Sequence, residues 1–455
     1  MEERLDDLTT KDRQELRNIR TLLWGSNDIC PGIFDRWSQG FEFSDQESSA
    51  LVQCQGGPCA VIAPVQAFLL KILLMDTPGG YSFSDLTVDK CRTVLIQAIC
   101  NILMKCKETK YRIVTLRNPE VPCDVVDAAR LNDPGASPSS SSPVAEATDG
   151  QQGTWDPDQF HERLTIGDME SIDEVEKFYL ENMNLLTGQF GVLLLLYSVL
   201  ATKGLENVVQ ELNDTSEPLI HGTYGYGSQG LINLMLTGRA VGHVWDNDED
   251  VGGLKLRGIN QQSDIGFITT MEQMRYCTVG SFYKNPKNPV WVMASETHLS
   301  VLFSTEKRLV SPETPSEIAR RVFKSYDPDG NNFIPSVVLQ DVLCTLDLVS
   351  DKEYVDIMRS KLDPENLGII LLNGFMDEFF PQEKRSMPDT FVLWHYNGIP
   401  GSNNGNKVKY SRGVAILLES DLKLMCNISN PMLMCLQTKW PNIEVNWQER
   451  TPSLN

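Results

Sequence analysis

The run Gln53-Cys-Gln-Gly-Gly-Pro-Cys59-Ala-Val-Ile-Ala-Pro-Val-Gln-Ala-Phe-Leu-Leu70 sets a thiol after a Gly-Gly-Pro turn and directly before a long apolar segment. Two glycines let the chain turn sharply, and Pro58 suits the approach to a first helical turn. Val61, Ile62, Val65, Phe68, Leu69, Ile72 and Leu73 then cover more than one helical stripe, which predicts a helix buried on most sides. Pro64 lacks a backbone donor and predicts a kink. A sulfur at the start of such a helix meets unpaired backbone N–H groups and the positive end of the macrodipole, both of which favour the thiolate that attacks carbonyls. Cys59 is therefore a candidate nucleophile, against the plainer alternative of a small buried hydrophobe.

A tetrahedral oxyanion beside Cys59 needs donors, and the Gln53 amide together with the Cys59 N–H would supply them. A cysteine hydrolase also needs a base, normally histidine, and the chain has five. His161 stands beside a Ser- and Gly-rich stretch and reads as solvated, while His243, near Trp245, reads as packing or capping. His221 opens a Gly/Tyr loop, as a surface turn residue or a substrate-facing one. His298, in Ser295-Glu-Thr-His298, lies at a strand edge, where an imidazole can be held rigidly next to a helix-borne thiol; a satisfied hairpin histidine is its alternative. His395, between Trp394 and Tyr396, is the second choice. The group that would orient the imidazole is not legible, and Glu296, two residues before His298, reads first as an exposed turn carboxylate.

At 455 residues the chain exceeds the ~100–200 typical of one domain, so two or three units are expected. Its formal charge of −21 argues against nucleic acid held by clustered Lys and Arg. Eleven cysteines without a Cys-x-x-Cys pair, and no apolar leader over residues 1–20, argue against a disulfide framework and point to a reducing compartment. The longest apolar run, 190–201, is shorter than the ~20 residues of a membrane span, so it reads as a core helix of a soluble protein. No P-loop, dinucleotide, His-Glu-x-x-His or Gly-x-Ser-x-Gly motif is present, and no cofactor is expected.

The aromatic segment 22–43 should pack beside the cysteine helix. Helical text follows at 172–181, 190–209 and 231–236; strand-like text at 289–294, 299–303, 391–396, 413–418 and 443–447. The Gly- and Tyr-rich residues 222–227 are a candidate cleft wall. The fold class read from this is α/β in the α+β sense. A first catalytic part covers 1–130, a disordered Ser/Pro/Gly linker 131–159, the continuation 160–311, a helical insertion 312–384, and C-terminal strands rejoining the sheet 385–455.

The insertion has the outline of an EF-hand pair, with loops starting at Asp327 and, 36 residues later, at Asp363. Asp327, Asp329 and Asn331 occupy positions one, three and five, but Asn332 replaces the glycine at six and Val338 the glutamate at twelve. Placing Gly330 at six instead puts Ser325 first and Ser336 last, which fits worse. The second loop has Leu367 at five and Gly374 at twelve. Without the bidentate glutamates calcium binding is not expected, and the insertion reads as a packing or partner-binding module.

The stretch from Trp24-Gly to Phe43 followed by Gly56-Gly-Pro-Cys59-Ala-Val-Ile-Ala-Pro-Val-Gln-Ala-Phe-Leu-Leu70 resembles the MINDY family of deubiquitinating cysteine hydrolases. So do Gly227-Ser-Gln-Gly-Leu-Ile-Asn-Leu-Met-Leu-Thr-Gly-Arg239, Ser295-Glu-Thr-His298 and Cys435-Leu-Gln-Thr-Lys-Trp-Pro441, and the EF-hand-like insertion points to the branch that carries one. The resemblance implies a divergent papain-like catalytic domain that hydrolyses isopeptide bonds in ubiquitin chains, lysine-48-linked by preference. It implies Cys59 as nucleophile, His298 as general base and Gln53 as oxyanion donor, in a nuclear and cytosolic enzyme whose partners are ubiquitin and its chains. The alternative is an inactive member that binds ubiquitin chains as a scaffold.

Overall fold

Helix Cys59–Met75 is buried along almost its whole length, because nearly every side chain in it is apolar and every side of it meets another element. In the computed structural model, which describes residues 9–26, 28–75, 86–117, 156–212, 214–311, 314–327, 330–381, 387–418 and 430–455, it packs against helices Val88–Cys106 and Gln229–Thr237 and against strands Val290–Ala294 and Leu299–Phe303. It runs as one helix through Pro64. Trp24, Phe34 and Trp37 cluster close by, with Trp24 ring centroids 5.9 Å from Phe34 and 6.3 Å from Trp37. Full burial of such side chains contributes ~1.5–3 kcal/mol each, which fixes the approach to the cysteine loop.

Every residue of helix Gly191–Lys203 is buried: most are apolar, Ser198 and Thr202 donate to the Leu194 and Arg112 carbonyls, and Lys203 pairs with Glu108 and Glu211. The helical pattern over 190–209 does not continue as one rod: Gly204, at φ 80°, ends the first helix, and Leu205–Leu212 leaves at 87° to it. Among the described residues no single helix is long and apolar enough to cross a membrane.

Six strands form the main sheet, in the order Ile443–Trp447, Ser411–Leu417, Thr390–Tyr396, Leu299–Phe303, Val290–Ala294 and Gly266–Thr269. The C-terminal strands thus join the hairpin, through pairs such as His395 with Leu302, and only Gly266–Thr269 runs parallel to its neighbour. That strand is four residues long and buried throughout, so it shows no alternation by which a sequence reading could find it. Pairing of Ala294 with Leu299 leaves 295–298 as the hairpin turn.

Between strands Leu299–Phe303 and Thr390–Tyr396 lies a helical unit with its own apolar cluster, including Phe323, Ile334, Leu343, Val355, Ile370 and Phe375. Helices Pro315–Ser325, Leu339–Thr345, Lys352–Leu362 and Leu372–Phe379 surround a short antiparallel pairing centred on Ile334 and Ile370. The serine-rich residues 131–155 lie outside the described residues, and the last residues of the expected linker, 157–159, belong instead to helix Pro157–Glu162, for which Pro157 provides a preorganised first turn.

Candidate active site

The Pro58 carbonyl accepts from the Val61 and Ile62 N–H groups, at 2.9 and 3.0 Å, so the helix is already hydrogen-bonded one residue before the sulfur and Cys59 is its first residue. Gly57 holds φ 129°, a region that favours glycine. The Trp37 indole N–H donates to the Gly225 carbonyl at 3.0 Å, which brings the Gly/Tyr loop onto this turn. A Cβ on Gly227 would overlap that of Ala60. Tyr226 and Gly227 consequently line a cavity of about 460 Å³ together with Cys59 and His298.

His298 arrives from the other side, at the end of the hairpin turn. The turn is closed by Ser295, whose N–H donates to the His298 carbonyl at 3.0 Å and whose Oγ accepts from the His298 N–H at 3.1 Å. Leu299, the next residue, lies with its backbone against the Cys59 sulfur. The imidazole is 4% exposed. Its Nε2 sits 3.0 Å from Asn397 Oδ1, and its Nδ1 is buried without a hydrogen-bond partner.

The tautomer follows from the surroundings of Asn397. The Ile399 N–H donates to the same Oδ1 at 3.0 Å, and Asn397 Nδ2 donates to the Ser453 carbonyl at 3.1 Å, so the amide can face only one way. An oxygen that already accepts must receive a proton from His298 Nε2, which leaves the Nδ1 lone pair as the free base. Asn397 is 99 residues from His298 in the chain and is the group the sequence did not disclose. Glu296 is exposed and does not take that part.

The segment bearing Asn397 also ties down the cysteine loop. Tyr396 OH donates to the Leu51 carbonyl at 2.6 Å, and the Gln53 N–H donates to the Gly398 carbonyl at 2.8 Å. Gln53 itself is buried, with its amide donating to the Gln55 carbonyl at 2.7 Å, and it does not line the cavity. Burial pushes the Cys59 thiol up, against the opposing pull of the Leu299, Gly57, Ala60 and Cys59 backbone groups. Burial likewise lowers His298 to about 4, with the Asn397 hydrogen bond acting in the opposite sense. Burial and the helix start thus act on this thiol in opposite senses.

The other histidines have different partners. His395 is buried, with Nε2 2.9 Å from Ser300 Oγ. His221 Nδ1 accepts from the Thr223 N–H at 3.2 Å in a local turn. His243 stacks on Trp245 at 3.9 Å, and both line the cavity. His161 is not solvated: its Nδ1 lies 2.6 Å from the Pro157 carbonyl and its Nε2 2.6 Å from Tyr197 OH, because the helix that carries it docks onto the aromatic cluster. Of the metal candidates, Asp327 accepts from the Asn331 and Asn332 N–H groups, one on each carboxylate oxygen, at 2.9 and 2.7 Å. Asp329 lies outside the described residues. Among the described residues no three His, Cys, Asp or Glu side chains converge on a metal-sized site.

A helix-borne thiol, an imidazole on a neighbouring strand turn and an amide behind it define a cysteine hydrolase class of site. Residues 20–323 match the conserved domain of the deubiquitinating enzymes MINDY-3/4, and the chain belongs to that family. It is 58% identical, over 98% of its length and 84% of the relative's, to the ubiquitin carboxyl-terminal hydrolase MINDY-3 homolog of Drosophila melanogaster. Against ubiquitin carboxyl-terminal hydrolase MINDY-3 of Homo sapiens it is 45% identical over 96% of its length and 99% of the relative's, and against that of Danio rerio 46% over the same shares. No solved structure matches.

Proposed function

We propose that this chain hydrolyses isopeptide bonds in ubiquitin chains, with preference for lysine-48 linkage, on a divergent papain-like domain. The observation that carries the reading is the His298 ring, fixed through Nε2 by Asn397 and unpartnered at Nδ1, in the same cavity wall as Cys59. As the glycine carbonyl of the distal ubiquitin approaches Cys59, His298 Nδ1 takes the thiol proton and the sulfur adds to the carbon. The imidazolium then protonates the departing lysine amine, leaving a thioester. His298 next takes a proton from water, hydroxide character develops at the acyl carbon, and the carboxylate leaves as the thiol is restored. The Cys59 N–H, free at the helix start, donates to the oxyanion. For Gln53 to join it, the bond to the Gln55 carbonyl must break or the second amide hydrogen must turn toward the cavity.

The helical unit at 315–379 reads as a degenerate EF-hand pair serving a structural or partner-binding role. Asp327 and Asp363 each accept two hydrogen bonds from their own loop's backbone, and the reading against calcium rests on the missing glutamates at the twelfth positions.

The test is cleavage of lysine-48- and lysine-63-linked tetraubiquitin by the full chain. Wild type shortens the lysine-48 chains faster, and Cys59→Ala and His298→Ala shorten neither. Cleavage by Cys59→Ala at the wild-type rate, or no cleavage of either linkage by the wild type, overturns the proposal.

A further inference from the structure

Away from this site, one cleft has charge opposite to that of the molecule as a whole. Arg13, Arg17 and Arg20 lie four and three residues apart, on one face of helix Thr10–Trp24. Together with Arg117, at the end of strand Tyr111–Leu116, they line a cavity of about 590 Å³ whose acidic members are Asp158 and Glu162. Four guanidinium groups thus face two carboxylates in a chain of formal charge −21.

The acids of the same helix do not neutralise this face. Asp12 and Glu15 both pair with Arg112, which also holds Asp168, on another side of the helix. Arg20 pairs with Asp158 at 2.7 Å. Among the described residues Arg13, Arg17 and Arg117 have no ion pair, and Arg117 Nε is shielded from solvent without a hydrogen-bond partner. Like charges at i and i+4 repel, and a dehydrated guanidinium N–H without an acceptor is costly. His161, also in the wall, adds no charge, since burial lowers it to about 4 and both ring nitrogens are engaged.

We propose that this cleft binds a phosphate monoester dianion. Planar guanidinium forks match phosphate oxygens in bidentate pairs, and three unpaired forks suit a group with three terminal oxygens better than a carboxylate with two. The cavity has room for a phosphorylated side chain as well as for the ion. A candidate source lies in the chain itself: Ser137-Pro-Ser139-Ser-Ser-Ser142-Pro143 falls in the sequence between Arg117 and Asp158, two residues that line the cleft. Free phosphate is the other source. The inference is independent of the hydrolase reading.

Calorimetric titration of the full chain tests it with three probes: inorganic phosphate, a peptide of residues 134–146 phosphorylated at Ser142, and the same peptide unmodified. The phosphopeptide should bind saturably and more weakly as salt is raised, and the unmodified peptide should not bind. Arg13→Gln/Arg17→Gln, both at exposed positions, should weaken phosphopeptide binding about tenfold or more, and Arg117→Lys should weaken it while keeping the charge. If inorganic phosphate binds through the same arginines as tightly as the phosphopeptide, the dianion site stands and the free ion is its ligand. Absence of saturable binding by both phosphate probes, or binding unchanged in Arg13→Gln/Arg17→Gln, overturns it.

Discussion

Ser295 Oγ donates to Asn455 Oδ1 at 2.5 Å, tying the turn that presents His298 to the last residues of the chain. The same tail accepts from Asn397 Nδ2 through the Ser453 carbonyl at 3.1 Å. Both sides of the imidazole's support therefore converge on residues 453–455. Deleting these three residues should lower kcat on ubiquitin chains about tenfold or more with little change in KM, since loss of positioning affects the chemical step more than binding. Thermal unfolding should also move down by a few degrees, because Leu454 is buried in the cluster with Trp440, Ile443 and Trp447, so the kcat loss is read well below the lowered midpoint. A deletion variant with wild-type kcat contradicts the role given to the tail.

Asn397 sets the tautomer of His298. Asn397→Ala should lower kcat by about 10- to 100-fold. Asn397→Asp retains an acceptor for Nε2 and should recover part of the loss, although its second oxygen then faces the Ser453 carbonyl. An alanine variant as active as wild type shows that the ring needs no partner at Nε2.

Cys59 illustrates what was legible in the sequence and what was not. Its helix start, the buried helix after it and the hairpin carrying His298 are written in local patterns: a Gly-Gly-Pro turn, continuous apolar text, and two short strands around Ser295-Glu-Thr-His298. Asn397 and the tail are brought to His298 by the pairing of strand Thr390–Tyr396 with Leu299–Phe303 and by the strands that follow it in the sheet, long-range events with no local signature. The state of the thiol likewise has a determinant that is not local. Helix position can be inferred from sequence, whereas the dehydration that raises the thiol comes from everything packed around it. His161 was misplaced because a neighbouring Ser-rich stretch says nothing about the aromatic cluster onto which its helix docks.

The raised thiol has a measurable consequence. Alkylation of Cys59 by iodoacetamide in the free enzyme should accelerate with pH through and beyond the ordinary thiol range of about 8.5, without a plateau at neutral pH. A pH-independent rate from about pH 5 to 8 would instead reveal a thiolate–imidazolium pair.

Two buried histidines, His298 and His395, and the half-buried His161 make the fold sensitive to acid. Burial holds His161 and His298 at about 4 and His395 at about 3, the last lowered further by the nearby His298. An unfolded histidine titrates near 6.5, so between about pH 6.5 and 4 the unfolded chain binds protons that the folded chain does not. Stability should therefore be full above about pH 6.5 and fall steadily toward pH 4, as urea midpoints would show. His161→Gln should flatten part of that slope. A midpoint constant over this range contradicts the buried neutral state.

The central claim is that Cys59 is the atom that attacks the carboxyl end of ubiquitin. Ubiquitin carrying a C-terminal electrophile should form one covalent adduct with the full chain. Peptide mass mapping should place it on Cys59 rather than on Cys54, which is exposed five residues earlier, and Cys59→Ala should abolish it. No adduct, or an adduct on Cys54 that persists in Cys59→Ala, would contradict the account.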